Sequence, residues 1–128
     1  MEGFFMDKNA PKHILIVGDT PRWIEQTKKV LKDDYVIHVR TDYIGAIEFL
    51  AFEASRMSLC IMANNLCEKD AGVRIVEELQ EAADPRVILY TREISEASRL
   101  HAKQLGAVVI EMGDTGGLCA AVESLIAP

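Results

Sequence analysis

Basic charge, long apolar runs and paired cysteines are all scarce in this sequence, and each shortage removes a class of function. Asp and Glu outnumber Lys and Arg by 20 to 14, for a formal net charge of −6. Contact with a nucleic-acid backbone needs a basic stripe, so no nucleic-acid partner is expected. Gly3-Phe4-Phe5-Met6, the longest uncharged stretch near the start, is far too short for the apolar region of a signal peptide or for a membrane span. No membrane partner is expected, and a cytoplasmic location is the default. Cys60, Cys67 and Cys119 are odd in number and lack metal-ligand spacing; they read as reduced structural cysteines, not as a disulfide framework or a zinc site. His13, His38 and His101 are scattered and form no catalytic or metal constellation.

What is present is an alternation. With 128 residues, 49% of them hydrophobic, the chain is one domain able to bury a core. Residues 1 to 12 read as a loose extension ending at Pro11, ordered only if Phe4 and Phe5 find a surface to cover, and residues 13 to 128 as the domain. Ile14 to Val17 is a continuous apolar run, as in a strand covered on both faces. Gly18-Asp19-Thr20 turns the chain, and Pro21 at a first helical position, with Asp19 or Thr20 as cap, starts a helix whose inner face is Trp23, Thr27, Val30 and Leu31. Tyr35 to Arg40 alternates and suits an edge strand. Asp42 caps a second helix running to about Ser55, and Leu59 to Ala63 is the next buried strand. A third helix from about Asp70 to Ala82 turns Val73, Val76 and Leu79 inward and closes at Asp84-Pro85, before a strand from Val87 to Tyr90. Ser95 caps a fourth helix that Gly106 ends. A strand from Ala107 to Ile110 and a helix from about Thr115 to Ile126 complete five strand-helix units. Such units predict an α/β, doubly wound, five-stranded parallel sheet in the order 2-1-3-4-5, with helices on both faces and a crevice outside the carboxyl ends of the first and third strands.

At those ends the chain resembles the receiver domains of bacterial two-component response regulators, over residues 13 to 127. In that family two acidic residues after the first strand help hold Mg²⁺; the equivalent pair here is Gly18-Asp19. The family's phosphoacceptor Asp ends the third strand, eight residues before a Gly that opens the third helix. Gly72-Val73-Arg74-Ile75-Val76-Glu77-Glu78-Leu79 matches that helix start, and counting back places Asn64 at the acceptor position, or Ala63 if the loop carries one extra residue. The switch Ser or Thr is preserved as Thr91, followed fifteen residues later by Gly106-Ala107. The family's Lys after the fifth strand falls on Gly113, followed by Asp114 where Pro is usual, and an aromatic common slightly earlier is Ile110.

The resemblance therefore implies a pseudo-receiver with a degenerate pocket of Gly18, Asp19, Ala63, Asn64, Thr91 and Gly113, no catalytic residue, no bound metal and no cofactor. Neither an amide nor a methyl can form an acyl phosphate, and Asp19 with an Asn amide is a poor Mg²⁺ cage. Each lost charge-assisted contact is worth about 1.5–3 kcal/mol. Residue by residue, Asp19 reads better as a helix cap than as a remnant ligand, Asn64-Asn65 better as a plain polar loop than as an anion site, and Trp23 as a core anchor. Thr91 reads equally well as a toggle or as a hydroxyl satisfying nearby backbone.

The last helix carries the remaining signal. Leu118, Ala121, Val122 and Leu125 form its inward stripe, but Cys119, Ala120, Ile126 and Ala127 leave the outer side apolar, with Glu123 its only charge. In receiver domains the fourth helix, fifth strand and fifth helix form a habitual partner surface, so the resemblance implies a protein partner or homodimer through Ile110, Met112, Cys119, Ala120, Glu123 and Ile126. The expected function is a phosphorylation-independent signalling module without enzymatic activity. The alternative is a working phosphotransfer domain, or one binding a small anion or nucleotide in the crevice near Asp19 and Asn64.

Overall fold

The computed structural model describes residues 11–31, 35–66, 68–82 and 86–126. The extension with Phe4 and Phe5, Cys67, the Asp84-Pro85 stop and Ala127 lie outside the described residues. The elements run β1 His13–Val17, α1 Pro21–Lys29, β2 Val36–Arg40, α2 Tyr43–Glu53, β3 Leu59–Met62, α3 Ala71–Ala82, β4 Arg86–Thr91, α4 Glu96–Gln104, β5 Val108–Glu111 and α5 Thr115–Ile126. All four strand pairings are parallel, in the order β2-β1-β3-β4-β5. This is the expected doubly wound sheet. Its bounds shift by a residue or two: β2 begins at Val36, β3 stops at Met62, β5 begins at Val108, and α2 yields after Glu53 to a 3₁₀ turn over Ala54–Arg56.

The continuous apolar runs are explained by the side-chain period of two, which sends alternate residues of a central strand into two separate layers. Leu15, Val17, Cys60, Met62 and Leu89 pack under α2 and α3 with Ala46, Leu50, Val73, Val76 and Leu79. Ile14, Ile16, Leu59, Ile61, Ile88 and Tyr90 pack under α1 and α5 with Trp23, Ile24, Leu118 and Val122. Ile24 and Ile75 are buried as well, beyond the expected inner faces of their helices. Burial in the first layer pushes the Cys60 thiol up to about 12.

Local chemistry sets the helix ends. Asp42 Oδ1 accepts from Gly45 N at 2.6 Å, and Ser95 Oγ from Ser98 N at 3.1 Å. Gly106 ends α4 at φ +96°, the left-handed region that glycine enters freely. Helix α1 departs from expectation. Thr20 holds its N-cap position without a side-chain cap, and Asp19 takes only a 3.3 Å hydrogen bond from the Thr20 hydroxyl. Pro21 suits this start, because its ring fixes φ and it has no N–H to leave unpaired.

Candidate functional site

The loops after β1, β3, β4 and β5 enclose a crevice of about 410 Å³, lined by Asp19, Trp23, Ala63, Asn65, Thr91 and Met112, with Arg22, Arg92 and Glu93 also contributing. Of the six residues expected in a degenerate pocket, Asp19, Ala63 and Thr91 line it. The other three do different work.

Gly18 is buried beneath the indole of Trp23. A Cβ added there would lie 2.4 Å from Trp23 Cε3, so only glycine admits this contact. Trp23 is 5% exposed, and its Nε1 donates to the Tyr90 carbonyl at 3.0 Å. The buried Tyr90 ring lies 6.1 Å from the indole, and its hydroxyl accepts from Gly113 N at 3.1 Å. A strut thus runs from the end of β1 through Trp23 and Tyr90 to the loop after β5. Gly113 is one anchor of this strut, at φ +102°, and lies outside the crevice lining; Met112 stands there instead. Met112, expected on the outer interface, is half-buried, and its N donates to the Thr91 carbonyl at 3.0 Å. Asp114 begins α5 by accepting from Gly117 N at 2.9 Å, a cap whose only sequence signal is an acid three residues before a helix-internal amide.

Asn64 is fully buried and outside the crevice lining. Its Oδ1 accepts from Val73 N at 3.2 Å, and its Nδ2 donates to Asp70 Oδ1 at 2.8 Å and to Asn65 Oδ1 at 3.4 Å. Its carbonyl accepts from Gly72 N at 2.8 Å. Asn65 Oδ1 in turn accepts from Asp70 N at 2.9 Å, which holds Asp70 at φ +60°. The asparagine pair is therefore a fastening of the first turn of α3, where free amides need acceptors. Gly72 is required by closeness: a Cβ there would come within 2.7 Å of the Ala63 carbonyl. Counting eight residues back from this glycine reaches Asn64, but the residue whose side chain meets the crevice is Ala63.

Thr91 is 5% exposed. Its Oγ1 accepts from Asn64 N at 3.2 Å and donates to the Glu93 carbonyl at 3.4 Å, so the hydroxyl satisfies backbone groups. Asp19 is exposed, and no cluster of three or more Asp, Glu, His or Cys side chains suited to a metal occurs among the described residues. The Mg²⁺ site of receiver domains does not fit here, since the position for one acid is filled by an indole packed on glycine.

On the expected interface, Ala120 and Glu123 are exposed, while Ile110, Cys119 and Ile126 are half-buried. Ile110 and Ile126 pack partly against the second core layer, and Cys119 Sγ lies 4.0 Å from Glu123 Oε2. The large exposed apolar side chains are elsewhere: Leu100 on α4, and Ile44 and Phe52 on α2.

No family model matches the chain, and no curated protein sequence matches it. Solved structures do. A CheY-like response regulator receiver domain from Methanospirillum hungatei is similar at 18% identity and a TM-score of 0.80, over 91% of this chain and 94% of that one. A chain of the CheX–CheY–BeF₃–Mg²⁺ complex from Borrelia burgdorferi is similar at 16% identity and a TM-score of 0.80, over 96% and 95%. The signal receiver domain of an HD domain-containing protein from Pseudomonas fluorescens is similar at 21% identity and a TM-score of 0.78, over 91% and 88%. Strand order, helix placement and these likenesses agree: the chain has the flavodoxin-like fold of response-regulator receiver domains.

Proposed function

We propose that this chain is a pseudo-receiver: a phosphorylation-independent module of bacterial two-component signalling that works in the cytoplasm by protein contact and has no enzymatic activity of its own. One observation carries the reading. Where β3 meets the crevice the side chain is the Ala63 methyl, and where β1 meets it Gly18 lies under Trp23. Without an acceptor carboxylate, a second acid or a lysine, the crevice has no nucleophile and no fixed cation opposite a developing phosphoryl charge.

The contact surface we assign is that of α4, β5 and α5, where Leu100 and Ala120 are exposed. A protein of this fold in complex with CheX, the Borrelia structure, supports partner binding as the mode of action. The presence of Arg22 and Arg92 beside the crevice favours one other reading, the binding of a small anion there without transfer. Sedimentation velocity and pull-down of the full chain test the first. Leu100→Glu and Ala120→Glu are expected to abolish association with circular dichroism unchanged. Association that persists in both, or a wild-type chain that is monomeric and retains no partner, overturns the assignment. Resonance shifts at Thr91 and Met112 on titration with inorganic phosphate mark the second reading.

A further inference from the structure

Helix α2 is apolar nearly all round, and its outer side is uncovered. Ala46 and Leu50 face the core, yet Ile44 is 63% exposed and Phe52 85% exposed, with Ala51 exposed between them and Glu48 the charge on that side. At 100° per residue Ile44, Ala51 and Phe52 fall within a sector of about 100°. A helix apolar on both sides is normally buried on both.

The chain enters the domain beside this face. Val36 N donates to the Lys12 carbonyl at 2.9 Å, and Ser58 N, just after α2 and its 3₁₀ turn, donates to the His13 carbonyl at 2.8 Å. From His13 a row of rings leads to α2: His13 stacks on His38 with centroids 5.2 Å apart, and His38 meets Phe49 at 5.2 Å. Phe52 is one helical turn beyond Phe49, a rise of about 5 Å. Phe4 and Phe5 stand six and seven residues before Pro11, which at about 3.3 Å per residue gives a reach of about 20 Å. That covers the two ring steps and the turn. Phe4, Phe5 and Met6 are also the only run of three large apolar residues before β1.

We propose that residues 1–10 dock on the outer face of α2, with Phe4 and Phe5 covering Phe52 and Ile44. The segment forms an intramolecular cover for that face, separate from the surface of α4, β5 and α5.

Nuclear Overhauser contacts in the uniformly labelled full chain test this. Contacts are expected from the Phe4 and Phe5 rings to the Phe52 ring and the Ile44 methyls. A full-chain Phe4→Ser, Phe5→Ser variant is expected to lose them and to shift the Ile44, Ala51 and Phe52 amide signals, while Phe52→Ser, a change at a surface position, speeds trypsin cleavage after Lys8. Absence of the contacts, with α2 signals unchanged in the double variant, overturns the proposal. So do shifts at Ile44 and Phe52 that depend on protein concentration and survive in the double variant, because they make a second copy the occupant.

Discussion

The strand ends that form the crevice and the loop just beyond β3 treat polarity in opposite ways. At the strand ends the side chains are small or apolar: Gly18 under an indole, Ala63 and Met112. One residue past Ala63, the buried Asn64 uses its amide fully, and with Asn65, Asp70 and Thr91 it closes a network in which no buried side-chain N or O among the described residues lacks a partner. Groups that would perform phosphoryl chemistry are missing, whereas groups that fasten the loop to α3 and β4 are complete. Polar residues near a crevice are thus not all remnants of chemistry. Those here are structural, since a buried polar group is tolerated only when paired.

The largest effect should come from breaking the fastened side. Asn64→Ala orphans the buried Val73 amide and removes the donor facing Asp70, which is expected to destabilise the fold by about 2–4 kcal/mol, at about 1–3 kcal/mol per unsatisfied group. Urea titration measures this. Asn64→Asp keeps an acceptor for Val73 but sets a carboxylate oxygen against Asp70 Oδ1, now 2.8 Å from Nδ2. It should lose about 1–3 kcal/mol at neutral pH and recover most of it with Asp70→Asn. Equal stability with and without that second change would mean that Asn64 does not face Asp70.

The crevice side predicts a different response. Gly18→Asp, which restores an acid in sequence, forces a Cβ to within 2.4 Å of the Trp23 ring. Overpacking should cost about 1–3 kcal/mol and alter Trp23 fluorescence. Adding Trp23→Ala should relieve the clash, though it also removes the hydrogen bond to the Tyr90 carbonyl. If Gly18→Asp is neutral and leaves the fluorescence unchanged, the indole does not occupy that position.

Much of this was legible in the sequence. The order of the sheet followed from five alternating units, and the Asp42, Ser95 and Gly106 helix ends followed from residue type and place. Trp23 was readable as a core anchor by helical spacing. Its contact with Gly18 was not, because a close approach between a helix and a strand end leaves no periodic trace. The roles of Asn64 and Ala63 were hidden for a related reason: adjacent residues past a strand point in different directions, and a count from Gly72 cannot detect one extra loop residue. Met112 and Gly113 exchanged places in the same way. The Asp19 cap failed because Pro21 makes a capped start unnecessary.

A smaller effect should appear away from both regions, at the other end of the sheet. The His38 pKa is held below its ordinary 6.5 by burial first, then by His13, Arg40 and Arg56, with Glu53 opposing. His38 Nε2 and His13 Nδ1 lie 3.0 Å apart. A base with a depressed folded-state pKa favours the neutral form. Its contribution to stability is therefore complete above pH 6.5 and lost as pH falls through the lowered His38 value. Melting temperature should fall modestly on acidification from pH 7 to pH 5, and His38→Gln should flatten part of that slope. An unchanged slope in the variant would assign the acid sensitivity elsewhere.

The central claim is that the phosphoryl machinery is dismantled and does not return with a single carboxylate. Labelling with radioactive acetyl phosphate and Mg²⁺, run side by side on the wild type, Asn64→Asp, Ala63→Asp and an ordinary receiver domain, tests it most directly. The account predicts that all three forms of this chain stay at background while the ordinary receiver is labelled. Labelling of Asn64→Asp at a rate close to that receiver's would contradict it, since Asn64 would then have to face a crevice that still holds working chemistry.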